Sequence, residues 1–91
     1  MRIEHDLEGR RFVAQLPAGT AVLAYSPAGD KVLDFFSTYV PSPARGQGIA
    51  SQLVEAALAY ARAEGFRIIP SCWYVAGWIG EHPEYRDLLA A

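Results

Sequence analysis

Up to Val40 the apolar positions of this chain recur in short runs separated by turn-forming residues, and beyond Gly46 they switch to helical spacing. Ile3 to Leu7 reads as a short strand, and Gly9 marks a turn into Arg10 to Leu16, where Phe12, Ala14 and Leu16 alternate with Arg11, Val13 and Gln15. Pro17-Ala18-Gly19 ends that hairpin, Thr20 to Tyr25 reads as a third strand, and Ser26-Pro27-Ala28-Gly29-Asp30 has turn composition. Lys31 to Val40 is a fourth, longer strand. Short turns between successive strands predict an antiparallel meander, which stops at Pro41-Ser42-Pro43 because proline cannot donate a further ladder bond.

From Gly46 to Glu64, Ile49, Leu53, Val54, Ala57, Leu58 and Ala61 fall on one face of a helix. Gly65 is its stop signal, Phe66 can pack back on it, and Arg62 in the last turn complements the dipole. Arg67 to Cys72 follows as a fifth strand, apolar at Ile68 and Ile69; a helical crossover makes it parallel to the fourth. Trp73 to Glu81 reads as a short helix, and Glu84 to Leu89 as a final turn after His82-Pro83. The expected fold class is α+β: a mixed, mostly antiparallel sheet of about five strands, one long helix and short C-terminal helices. Residues 1–91 read as a single domain, without repeats or low-complexity tracts.

Composition narrows the function. At 52% hydrophobic residues the chain can build a core, but a buried site must share it. A net charge of −2 with scattered Lys and Arg argues against nucleic-acid binding. No run approaches the ~18 apolar residues of a membrane span, so a soluble, cytoplasmic protein without a membrane partner is expected. The single cysteine excludes an internal disulfide framework and suits a reducing compartment. His5, Cys72 and His82 lack paired-ligand spacing, so no metal site is expected. His5 reads as a surface strand residue, and His82, in His-Pro-Glu-Tyr, as part of a cap that docks the C-terminus. Trp73, Tyr74, Trp78 and Tyr85 read as core and pocket wall.

The chemistry concentrates in Arg45-Gly46-Gln47-Gly48-Ile49-Ala50, between the fourth strand and the helix. Glycines there let a ligand approach the main chain, and the first amides of the helix lack intrahelical partners. Those donors, the helix dipole and the Arg45 fork suit a phosphorylated ligand. Gly-x-Gly at this place also serves as a plain tight turn. The P-loop pattern fails for want of Lys-Ser/Thr, and the dinucleotide pattern fails because Ser51 stands where its third glycine would fall.

Taken with the meander, the Arg-x-x-Gly-x-Ala motif of Arg45, Gly48 and Ala50 resembles the GNAT N-acetyltransferases. Cys72-Trp73-Tyr74 and His82-Pro83-Glu84-Tyr85 make the chain similar to the short single-domain, YjdJ-type subfamily, over nearly its whole length. The resemblance implies a minimal GNAT fold and an acetyl-CoA-dependent transfer to an amine, whether protein lysine, polyamine or small amine. It implies that the pyrophosphate lies on Gly46, Gln47, Gly48, Ile49 and Ala50 beside Arg45. The pantetheine arm would pair along Thr38, Tyr39 and Val40, where strands four and five splay. Cys72 and Tyr74 are the implied catalytic residues, Cys72 as proton donor, acetyl carrier or wall. The subfamily's His-Thr-Glu-Val is replaced here by Ser37-Thr38-Tyr39-Val40, and its proline after the cysteine by Trp73. Those departures motivate the rival expectations of an acyl-CoA-binding module without turnover, or an interaction domain. The acceptor groove is expected to be open, or closed by a second copy in a homodimer.

Overall fold

A computed structural model describes residues 1–90. Strands β1 (Ile3–Asp6), β2 (Arg11–Leu16), β3 (Gly19–Pro27) and β4 (Val32–Tyr39) form the antiparallel meander. Strand β5 (Arg67–Ile69) joins β4 in parallel, and the order across the sheet is β1-β2-β3-β4-β5. Helix α1 (Ile49–Glu64) makes the crossover between β4 and β5, and helix α2 (Trp73–Glu81) follows β5. The chain is thus α+β with a mixed five-stranded sheet, as its hydrophobic pattern predicts.

One face of the sheet packs on α1. The apolar row of the helix, Ile49, Leu53, Val54, Ala57, Leu58 and Ala61, is buried against Phe12, Leu23, Leu33, Phe35 and Ile68. Leu53 and Leu58 are wholly inaccessible, so truncating either to alanine costs about 2–5 kcal/mol. Gly65 closes the helix in the left-handed region at φ 76°, its amide shared between the carbonyls of Ala61 and Arg62.

Several elements are shorter than the hydrophobic pattern suggests. β1 ends at Asp6, whose carboxylate accepts from the Gly9 amide at 3.0 Å and draws the chain into its turn. α1 begins at Ile49, not Gly46, because Gly46 and Gly48 take φ of 83° and 77° outside the helical region. β5 stops at Ile69 before reaching Cys72, since Pro70 cannot extend the ladder.

Two aromatic and imidazole placements also differ from expectation. His5 is not a free surface residue: it stacks on Phe12 at 4.0 Å between centroids, meets the edge of Tyr60, and places Nε2 2.7 Å from the Tyr25 hydroxyl. Its neighbours lie on the core face of β2, β3 and α1, where strand register puts His5 opposite Phe12. Trp73 is not core: at 82% exposure it projects from the first turn of α2. Arg62, rather than only facing the helix end, holds Asp87 through two bonds of 2.8 and 3.0 Å and the Glu84 carbonyl at 3.1 Å. That clamp docks a C-terminal 3-10 turn, Pro83–Leu88, under which Leu88 is buried.

Candidate functional site

The splay between β4 and β5 has a local cause. Pairing of β3 with β4 shifts between Ala24↔Ser37 and Tyr25↔Phe35, which leaves Phe36 as an extra residue on β4. Such a bulge bends its strand and breaks the ladder. The parallel pairs with β5 end at Asp34↔Ile69, and the last tie across is the Cys72 amide donating to the Phe35 carbonyl at 2.9 Å. Beyond Phe35 this edge of β4 has no strand partner among the described residues. Phe36 was not legible as a functional position; the break in alternation between adjacent phenylalanines is its sole trace in the sequence.

A cleft of about 280 Å³ opens in that gap, lined by Thr38, Tyr39, Val40, Arg45, Ala50, Cys72, Trp73 and Tyr74. An adjoining hollow is lined by Arg45, Gly46, Gly48, Ile49 and Ala50, and shares Val40 and Tyr74 with the first. The structure therefore brings together most of the residues singled out in the sequence. Gln47 is the exception among side chains, turned toward a different recess beside Leu16, Pro17 and Pro43. The Ile49 side chain is core, so only its main chain serves the loop.

The loop leaves both space and hydrogen-bond donors open. A Cβ added at Gly46 or Gly48 would meet nothing within 4 Å, so the space above both is open. Among the described residues, no protein acceptor takes up the amides of Gly46, Gln47, Gly48, Ile49 and Ala50; the first helical bond runs from Gln52 to the Gly48 carbonyl. No acidic side chain sits in the first turn of α1 to compete. These are the donors that a phosphate would satisfy. Arg45, which lines both hollows, donates its Nε–H to the Val40 carbonyl at 2.9 Å, a bond that does not use its terminal nitrogens.

Cys72 sits at the opposite end of the cleft as the N-cap residue of α2, 8% exposed. Its sulfur lies 3.3 Å from the Thr38 hydroxyl. Burial works to raise the thiol's pKa, but hydrogen bonding from the Thr38 hydroxyl and the nearby amides of Val75, Tyr74 and Thr38 outweighs it, and the net direction is down. Tyr74 behaves oppositely: burial and then the charge of Glu81 push its hydroxyl above the usual range, so it keeps its proton. No imidazole or carboxylate lines the Cys72 cleft.

Two further contacts hold this frame. Trp78 donates its indole N–H to Ser51 Oγ at 2.8 Å, tying α2 to the first turn of α1. His82 stacks on Trp78 at 3.7 Å and places Nδ1 2.7 Å from the Trp78 carbonyl, a supporting role away from the cleft. Ser51 carried no recognisable signal in the sequence, because its partner lies 27 residues away on another helix. Among the described residues no group of His, Cys, Asp and Glu side chains is disposed to hold a metal, and no helix is long and apolar enough to cross a membrane.

A family model described as GCN5-related N-acetyl-transferase matches residues 11–88. A protein named NATD1 from Bos taurus is 38% identical over 85 residues, covering 91% of this chain and 75% of that protein. Its namesake from Mus musculus is 36% identical over the same length, covering 91% of this chain and 77% of the relative. In fold, the chain is similar to a GCN5-like protein from Staphylococcus aureus solved by NMR, with a TM-score of 0.78 at 21% identity, covering 99% of this chain and 88% of that one.

Proposed function

The chain belongs to the GCN5-related N-acetyltransferase family, and from that premise we propose that it transfers an acetyl group from acetyl-CoA to an amine. The observation that carries this reading is the run of unpartnered amides from Gly46 to Ala50, beside a hollow that adjoins the Cys72 cleft and shares Val40, Arg45, Ala50 and Tyr74 with it. In this reading those amides and Arg45 hold the diphosphate. The free edge of β4 at Thr38 and Tyr39, with Val40 just beyond it, holds the pantetheine arm as an added strand would be held. The thioester then lies beside Cys72.

The reaction forms a bond from the amine nitrogen to the acyl carbon and breaks the carbon–sulfur bond to coenzyme A. A proton must leave the amine, and the departing thiolate must gain one. Cys72 is suited to carry that proton, because hydrogen bonding at its sulfur outweighs burial and lowers the thiol's pKa, which eases loss of its proton. Tyr74, which retains its proton, is suited to donate a hydrogen bond to the departing sulfur. Direct transfer in this manner requires no acetyl adduct on Cys72.

One observation favours a second reading, acyl-CoA binding without turnover: the cleft contains neither an imidazole nor a carboxylate to serve as a conventional base. The two readings separate in one experiment. Incubation with acetyl-CoA and a panel of amines, with free thiol measured over time, should release coenzyme A only when an acceptor is present. Tight coenzyme A binding without any release would leave the second reading standing, and no binding at all would remove both.

A further inference from the structure

Trp73 and Tyr74, which wall the Cys72 cleft, also border a neighbouring recess of about 320 Å³ completed by Gly77, Trp78 and Glu81. Helix geometry explains its form. Trp73, Gly77 and Glu81 are four residues apart in succession on α2 and so lie along one row of the helix surface. A glycine at the middle of that row leaves a notch between an indole and a carboxylate. Nothing lies within 4 Å of where a Gly77 Cβ would be, so no packing contact demands glycine there. In a helix interior it costs about 1 kcal/mol relative to alanine. Trp73 is equally unexplained by the core, being 82% exposed.

The charge of this recess is opposite to what a nucleotide needs. Glu81 is the one charged residue in its wall, and its field reaches far enough to raise the neighbouring Tyr74 hydroxyl. A diphosphate would be repelled here and drawn to the open amides and Arg45 at the other end. An indole and a carboxylate lining one recess instead favour a cation. At a rise of about 1.5 Å per residue the row from Trp73 to Glu81 runs about 12 Å, the length of an extended aliphatic chain, not of one compact ammonium.

We infer that Trp73, Gly77 and Glu81 form an acceptor subsite for an aliphatic polyamine, with one amine reacting beside Cys72, the chain running past the Trp73 indole along the Gly77 notch, and a second, protonated amine held at the Glu81 carboxylate. The inference rests on the acetyl-transfer reading and adds the acceptor class to it. Catalysis needs the reacting nitrogen uncharged, while the distal nitrogen keeps its charge and supplies the recognition.

The test compares spermidine with butylamine, which lacks a second charge, in the full chain. The expected result is a lower KM for spermidine. Glu81→Gln and Trp73→Ala should each raise that KM by about 2- to 5-fold, the size of an exposed ion pair or cation–π contact. Coenzyme A affinity of Glu81→Gln should match that of the parent. Equal KM values for the two amines, or a spermidine KM unmoved by both substitutions, would overturn the subsite. Calorimetric titration of spermidine alone is the second arm: binding weakened by Glu81→Gln supports the subsite, and no binding refutes it. Failure of the acetyl-transfer reading would show separately, as no release of coenzyme A with either amine, and the calorimetric arm would still decide the subsite.

Discussion

The Thr38 hydroxyl lies 3.3 Å from the Cys72 sulfur, joining a residue of β4 beyond its last pair with β5 to the residue that caps α2. The pair spans the mouth where the two elements diverge. A hydroxyl in this place donates to a thiolate better than to a thiol, so the contact favours the reactive form.

Alkylation of the single cysteine reads this directly. The rate of reaction with iodoacetamide should rise with pH about a midpoint below the ~8.5 of a free cysteine. Thr38→Val, which keeps the shape and removes the hydroxyl, should move that midpoint upward. A midpoint at or above the free value in the parent protein would mean that burial dominates and that Cys72 is an inert wall.

The loop glycines can be separated from ordinary glycine effects by a matched pair. Gly48 and Gly65 cap the two ends of α1 with nearly equal φ, 77° and 76°, and a Cβ at either would meet nothing within 4 Å. Gly48→Ala and Gly65→Ala should therefore lose similar stability, about 1–2 kcal/mol from the left-handed backbone alone. Only the Gly48 variant should lose coenzyme A affinity, because its methyl projects over the open amides. Equal affinities in titrations of the two variants would count against the diphosphate assignment.

How much of this was readable in advance depends on the range over which each feature is encoded. The α1 face from Ile49 to Ala61 is local and periodic, and every apolar position picked from its spacing is buried. The Arg45 to Ala50 loop is also local, a contiguous motif between two recognisable elements. The Phe36 bulge, by contrast, arises from register against β3, and the Trp78–Ser51 bond from the approach of two helices. The stacking of His5 is likewise non-local, because a histidine at a strand start gives no sign of which aromatic rings will close over it. Of the aromatics read as core and pocket wall, Trp73 falls only to the wall: α2 presents it to solvent at the rim of the cleft.

His5 should make stability fall on acidification. Its burial lowers its pKa, against a smaller raising effect of Asp6. Below the unfolded value of about 6.5 the unfolded chain binds a proton that the folded chain resists, so stability is full above that pH and declines as pH falls toward the folded value. Asp6 and Asp87, both depressed, lose their contributions only at lower pH, as it passes down through their folded values. Thermal melts between about pH 7 and 5 isolate the histidine window. His5→Phe, which retains a ring against Phe12 and Tyr60, should flatten that slope; an unchanged slope would place the titrating group elsewhere.

The bond from Trp78 to Ser51 Oγ should couple the two ends of the cleft. At 2.8 Å it fixes α2, which carries Cys72 and Tyr74, to the first turn of α1, whose amides face the loop. Ser51→Ala removes the acceptor and leaves the largely buried indole N–H unpaired, at about 1–3 kcal/mol. Ser51→Thr restores a hydroxyl. If the bond sets the spacing between loop and sulfur, Ser51→Ala should weaken coenzyme A binding and slow Cys72 alkylation together, with Ser51→Thr recovering both. A variant that loses stability while both readouts hold at their parent values would show that the contact supports only the fold, and that the loop and the thiol are positioned independently by β4.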